Sequence, residues 1–180
     1  MTRRLVLLAL ILSLASCGSV DVTHYANQQP ALDLERFFSK PVKAWGMFQK
    51  RSGEVAKRFE VNIVSRREGN NLILDERFLY SDGTRQRRVW TLTPEGQGRW
   101  SGRADDVVGV AQGEVAGNAL HWRYRLNLPV DGSTYEVSMD DWMYLMDEDT
   151  LINRTSMSKF GVDVGQVTLF FRRQGTGETP

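Results

Sequence analysis

The densest grouping of reactive side chains is Met139-Asp140-Asp141-Trp142-Met143-Tyr144, followed across the acidic turn Asp147-Glu148-Asp149 by Asn153-Arg154. If these two runs pair as a hairpin, register across the turn brings Asp141 near Arg154. Asp141 alternates in step with Val137, Met139, Met143 and Leu145, so it points to an apolar side, where a lone carboxylate must be paired or protonated. Such a group serves either as a polar anchor for a ligand head group or as a general acid/base with a displaced pKa. The plainer alternative is an ion pair that closes the structure, and an arginine's fork suits that role. Glu76, in step with Leu74 and Phe78, is a second inward-pointing carboxyl. An enzyme built on this chain would use Asp141, Arg154 and Glu76.

Other candidates read more plainly. Asp105-Asp106 is a carboxylate pair, but adjacent strand residues face opposite ways, and the alternating acids of a calcium loop are missing, so solvated turn chemistry is expected. Arg85-Gln86-Arg87-Arg88 is the strongest local positive charge; it suits either anionic lipid head groups or a solvated edge strand that resists aggregation. His121 falls opposite Trp122 in the alternation and among arginines, which puts it on an exposed face. His24 sits in a polar stretch where it is poorly placed for catalysis. With one cysteine and two histidines in 180 residues, neither a disulfide framework nor a His/Cys zinc cluster is feasible. No Gly-x-Ser-x-Gly word occurs, and no metal or cofactor is expected. Lys and Arg total 23 against 22 Asp and Glu, a balance that argues against nucleic acid as a partner.

These residues need elements to hold them. Ala31 to Lys40 sets Leu34, Phe37 and Phe38 at helical spacing ahead of Pro41, predicting a short amphipathic helix. From Val42 onward the period is two: Phe59, Val61 and Ile63; Leu72, Leu74, Glu76, Phe78 and Tyr80; Trp122, Tyr124, Leu126 and Leu128; Val167, Leu169 and Phe171. Turn words such as Ser81-Asp82-Gly83, Ala116-Gly117-Asn118 and Val130-Asp131-Gly132 separate the runs, and Asp-Gly or Gly-Asn between alternating segments signals a hairpin. The prediction is an all-β antiparallel, up-and-down barrel of nine or ten strands behind one short helix. A meander of that many strands hides its edges best by closing, although a two-sheet sandwich competes.

The N-terminus speaks of location. Met1-Thr2-Arg3-Arg4 is basic, Leu5 to Leu12 is apolar but shorter than the roughly 20 residues a bilayer span needs, and small residues lead to Cys17. Leu14-Ala15-Ser16-Cys17 resembles the lipobox at which a bacterial signal peptidase cuts and the cysteine is acylated. That resemblance implies lipidation of Cys17, and Gly18 after it implies sorting to the outer membrane. The alternative is an ordinary cleaved signal peptide. The expected organisation is a lipoprotein signal peptide over 1–16, Cys17 and a polar tether over 17–30, the barrel over 31–173 and a frayed tail over 174–180. Without Arg3 and Arg4, the mature chain carries 21 basic and 22 acidic residues, so its membrane affinity would come from lipid.

Several words together resemble one family: Trp45-Gly46-Met47-Phe48-Gln49-Lys50-Arg51-Ser52-Gly53, Leu74-Asp75-Glu76-Arg77-Phe78-Leu79-Tyr80-Ser81-Asp82-Gly83, Gly117-Asn118-Ala119-Leu120-His121-Trp122, Asp140-Asp141-Trp142-Met143, and Asn153-Arg154-Thr155-Ser156-Met157-Ser158-Lys159-Phe160-Gly161. The chain is similar to proteobacterial lipoproteins of unknown function with a lipocalin-like barrel. The resemblance implies the fold and a place in the cell envelope, but no reaction. True lipocalins open on Gly-x-Trp, whereas here Trp45 precedes Gly46, so no lipocalin ligand is carried over.

Five tryptophans and six methionines would either fill such a barrel or line a cavity in it. The functional expectation is a membrane-anchored periplasmic protein binding a fatty acid or other apolar ligand through Trp45, Trp122, Asp141, Trp142 and Arg154. The rival expectations are a small-barrel enzyme acting on a modified fatty acid or lipid, which the scarcity of histidine disfavours, and a structural or assembly protein of the envelope.

Overall fold

Alternation of apolar and polar residues over runs of five to fourteen residues gives strands with one face for a core and one for water. The computed structural model describes residues 19–130 and 132–175. It contains ten strands: β1 (Val42–Lys50), β2 (Val55–Glu68), β3 (Asn71–Tyr80), β4 (Arg85–Gly96), β5 (Arg99–Arg103), β6 (Ala111–Ala116), β7 (Ala119–Val130), β8 (Ser133–Leu145), β9 (Thr150–Lys159) and β10 (Val162–Arg173). Each pairs antiparallel with its sequence neighbour, and β10 returns to β1 with Val42 opposite Arg173 and Lys50 opposite Gly165. The sheet is therefore a closed lipocalin-like barrel, as the pattern predicts.

The helix is shorter than the spacing predicts. Only α1 (Leu34–Phe37) is helical, capped by the Asp33 side chain, which accepts from the Arg36 amide at 3.1 Å. Ala31 and Leu32 lie outside it, and the Leu32 amide donates instead to the Gly117 carbonyl, at 2.8 Å. Leu34, Phe37 and Phe38 still do what their spacing implies. They are buried together with Val42, Ala44, Val61, Ile63, Leu72, Leu74, Leu92, Leu145, Leu151 and Phe171 and plug one end of the barrel. Arg67 pairs with Glu35 at 2.7 Å, and Arg36 with Glu148, across this plugged end.

The polar stretch expected as a free tether is partly docked. A 3-10 turn over Val22–Tyr25 buries Val22, and the Tyr25 ring packs edge-on against Trp142 and Tyr144 at 5.9 and 5.4 Å. Gly117 permits this approach, since a Cβ there would lie 1.8 Å from the Tyr25 carbonyl oxygen. Residues 1–18, with Cys17 and the expected signal peptide, and 176–180 of the expected tail lie outside the described residues.

The opposite end is the mouth, where the β1–β2, β3–β4, β7–β8 and β9–β10 turns gather. Inward-facing residues near it, including Phe48, Phe59, Phe78, Tyr80, Leu128 and Val167, are half-buried, while Leu126, Val137, Met139 and Met157 on the β7–β9 side are buried. One part of the wall is irregular. The short β5 and β6 bridge only the plugged halves of β4 and β7. Toward the mouth, segment 104–110 fills the gap: the Val108 amide donates to the Arg125 carbonyl at 2.9 Å, and the Asn127 amide to the Asp106 carbonyl at 2.8 Å. Val107 forms a bridge with Leu126.

Candidate functional site

Within the lumen, a polar cluster lies between the packed floor and the half-exposed mouth. Glu76 of β3 and Arg88 of β4 are register partners and share the inner face. Arg88 reaches into segment 104–110, donating from Nε to both Asp106 carboxylate oxygens at 3.0 Å and from Nη2 to one of them at 2.6 Å. Its guanidinium also lies 5.5 Å from the centroid of the Phe78 ring. On the facing wall, Asp141 of β8 is buried and accepts from the Asn153 side-chain amide, which also donates to the Trp142 carbonyl at 3.2 Å. The Thr155 hydroxyl donates to Asn153 Oδ1 at 3.3 Å. Between the two walls stands Tyr124, its ring edge-on to Trp90 at 5.5 Å.

Burial and mutual repulsion govern the charges. Asp141 is raised to about 7, chiefly by loss of hydration, against the pull of hydrogen bonds from Asn153, Thr155 and Tyr124. Glu76 is also raised to about 7 by burial, with Arg88 opposing and Asp106 and Asp141 adding repulsion. Tyr124 is pushed well above the usual phenol range by burial and then by Asp141. Burial works against the charge on Arg88, but the Asp106 hydrogen bonds and the nearby Glu76 outweigh it and hold the guanidinium firmly protonated. Near neutrality the cluster therefore offers two carboxyls poised to gain or lose a proton, beside one fixed ion pair.

The floor beneath is solid. Trp90 and Trp122 meet edge to face at 6.1 Å. The Trp122 ring occupies the space above Gly102 and Gly113, where added Cβ atoms would lie 2.5 and 1.7 Å from it. Two concavities, of about 450 Å³ beside Val108–Val110 and Arg123 and about 360 Å³ beside Pro41 and Arg77, are open grooves rather than an enclosed chamber. On the mouth side of the tryptophans Leu126, Val137, Met139 and Met157 form a second buried cluster, against which Phe48, Tyr124, Leu128 and Val167 pack.

Of the residues expected to form the site, Glu76, Trp122 and Asp141 face the lumen. Trp45, Trp142 and Arg154 do not. Trp45 is 41% exposed on the outer wall, tilted against Phe170 at 6.2 Å with the Lys43 ammonium 5.2 Å from its ring. Trp142 stacks outside on His121 at 4.0 Å and on Tyr144 at 6.0 Å. The expected Asp141–Arg154 pairing fails by one residue: Asp141 is opposite Thr155, and Arg154 is opposite Trp142 on the outer, exposed side. His121 is also outside, as its alternation implies, but sheltered by Trp142 and 3.2 Å from Asp140. In the arginine run only Arg88 turns inward, while Arg87 grips Asp75 outside with two bonds of 2.9 Å. Asp106, read as solvated, is the partner of Arg88. Arg88, Tyr124, Asn153 and Thr155 were detectable from parity, since Arg88 is in step with Trp90 and Leu92, and Tyr124 with Trp122. Asp106 carried no such signal.

The chain matches no curated protein. Its fold is similar to that of an S-type phycobiliprotein lyase from Guillardia theta, with a TM-score of 0.59 and 7% identity over 81% of this chain and 94% of that one. It is also similar to a protein of unknown function from Nostoc punctiforme, of the DUF3598 family, with a TM-score of 0.60 and 12% identity. That match covers 82% of this chain and 51% of the other, so this chain spans about half its length. At such identities the likeness is one of fold alone. A family model matches residues 11–173, nearly the whole chain including the segment around Cys17: the protein belongs to DUF3833, a family of proteins of unknown function.

Proposed function

We propose that this protein is a lipid-anchored envelope protein, held through Cys17 to the periplasmic face of the outer membrane, whose barrel binds a fatty acid or another apolar ligand. The ligand's polar end sits at Glu76, Arg88, Tyr124 and Asp141, and its apolar part lies among Phe48, Phe59, Phe78 and Leu128. The observation that carries this reading is the position of the polar cluster, above a tryptophan floor and below a half-buried aromatic mouth. Ionisable groups inside a barrel are costly, and a purely structural core has no need of Glu76, Arg88 and Asp141 together. Support for the anchor is the order Arg3-Arg4, Leu5 to Leu12 and Leu14-Ala15-Ser16-Cys17.

The test is mass spectrometry of full-length protein gently extracted from its own envelope, followed by titration with a fluorescent fatty acid. One class of apolar molecule is expected to co-purify, and Arg88→Met and Glu76→Gln should each weaken fatty-acid binding at least fivefold. An empty protein that also ignores the probe overturns the reading. A second reading rests on the two carboxyls raised to about 7, the range a general acid/base needs. In that case a folded Asp141→Asn variant alters the lipid composition of the cell, whereas a pure binder leaves it unchanged.

A further inference from the structure

The mouth carries a feature that neither folding nor the luminal cluster requires. Phe160 forms the tip of the β9–β10 hairpin and is 95% exposed. It holds a left-handed backbone, with φ of 52°, ahead of Gly161 at 78°. Two-residue hairpins place Asn or Asp at that position, because a bulky side chain there costs about 1 kcal/mol or more. Here an unfavourable backbone position presents a large apolar ring to water. Around it Val162, Tyr135 and Val130 are exposed as well. The Lys159 ammonium lies 4.0 Å from the Tyr135 ring centroid and 5.5 Å from that of Phe160, an arrangement of apolar body and cationic edge. Across the mouth, Arg51, Arg58 and Arg85 are exposed and, like Lys159, form no ion pair among the described residues.

We infer that the mouth docks on an anionic bilayer, with Phe160 inserted among the acyl chains and Lys159, Arg51, Arg58 and Arg85 against the head groups. Exposed aromatic and aliphatic groups bordered by cations fit that boundary, and each basic residue near an anionic surface contributes about 1 kcal/mol. The length of chain before the barrel points to the same occupant, an argument that rests on the proposed lipidation of Cys17. Only four residues separate Cys17 from buried Val22, a span of at most about 17 Å when extended. Asp21, just ahead, lies in the field of His121 and Arg123 on the outer wall of β7. A leash shorter than β7, along which the segment runs from Gly117 toward Arg123 in the direction of the mouth, keeps the molecule against the bilayer. The mouth rim joins an apolar tip to four cations that form no ion pair among the described residues, beside the carboxylates Asp105 and Asp163. An acyl chain then passes between bilayer and lumen without crossing water.

The test uses full-length protein with Phe160→Cys, or with Met146→Cys at the plugged end, each carrying an environment-sensitive fluorophore, and unsubstituted protein as the labelling background. Vesicles of phosphatidylethanolamine with phosphatidylglycerol are added, and the mass of the N-terminal fragment reports lipidation separately. The expected result is a blue shift at position 160, quenching there by doxyl-lipid but not by iodide, no shift at 146, and a smaller shift without phosphatidylglycerol. If position 160 stays in water while the N-terminal mass shows the lipid, the docking inference is overturned and the anchor stands. A shift at 160 in protein lacking the lipid leaves docking standing and overturns the anchor. Burial of 160 only on adding envelope protein extract, and not with vesicles, overturns the bilayer as partner in favour of a protein.

Discussion

Arg88 on β4 grips Asp106 in segment 104–110, with its closest contact at 2.6 Å, across the stretch of wall where no strand stands between the mouth halves of β4 and β7. On its other side the same segment is stitched to β7 by backbone hydrogen bonds at Val108 and Asn127. One ion pair therefore joins β4 to the only part of its neighbourhood that a ladder leaves open among the described residues.

Breaking that pair should loosen the wall locally. Asp106→Ala strands the arginine, and the expected cost is about 2 kcal/mol, below the figure for a fully buried pair because both side chains keep some contact with water. Hydrogen exchange should quicken at Val107–Val110 while β9 stays protected. Uniform quickening around the barrel would contradict this account. Replacing both partners, with Arg88→Met and Asp106→Leu, should recover much of the lost stability.

The two raised carboxyls fix the sign of the pH dependence. Glu76 and Asp141 hold their protons to about 7 in the fold, while in the unfolded chain they ionise at the usual 4.5 and 3.8. Between those values the folded state binds more protons than the unfolded, so stability falls as pH rises from about 4 to about 7 and levels off beyond. Each group contributes on the order of 3 kcal/mol to that fall. Chemical denaturation across this range should show the decline, and Asp141→Asn with Glu76→Gln should flatten it. A wild-type profile rising from pH 4 to 7 would refute the placement of both groups.

The tryptophan floor predicts a steric pair. Gly113→Ala puts a Cβ 1.7 Å from the Trp122 ring, a clash that a rigid indole against a closed wall cannot evade. Overpacking of this kind costs about 3 kcal/mol, and Trp122→Leu in the same chain should recover part of it. Thermal unfolding of the two single variants and the double variant measures the coupling. Additive effects would mean that the ring does not fill that space.

Docking of the N-terminal segment should depend on aromatic contact. Tyr25→Ala removes the ring that rests on Trp142 and Tyr144. Limited proteolysis should then cut within residues 19–30 sooner, while the melting temperature of the barrel moves by only a few degrees. Unchanged cleavage would show that Val22 alone holds the segment down.

How much of this was legible can be followed through single residues. Val42 and Ala44, Leu72 and Leu74, and Trp122 and Tyr124 each declare their face by alternation alone. Asp82-Gly83 and Gly117-Asn118 declare their turns by the positive φ that Gly83 and Gly117 adopt, at 83° and 52°. Phe160-Gly161 is a hairpin turn that no turn chemistry announces, because phenylalanine is an unfavourable choice there. Trp45 suggests a ligand by its type, yet its parity with Lys43 puts it outside.

Period and turn geometry are local properties, so the strands, their order and the side each residue shares with its neighbours can be read from the chain directly. The tertiary structure alone decided register. Asp141 meets Thr155 rather than Arg154, a difference of one residue that moves the arginine through the wall to the opposite face. Asp106 left the solvent for Arg88, although 18 residues separate them, because a gap between distant strands left that guanidinium in need of a carboxylate. Such pairings depend on which strands come together around the barrel, and no local pattern carries that information.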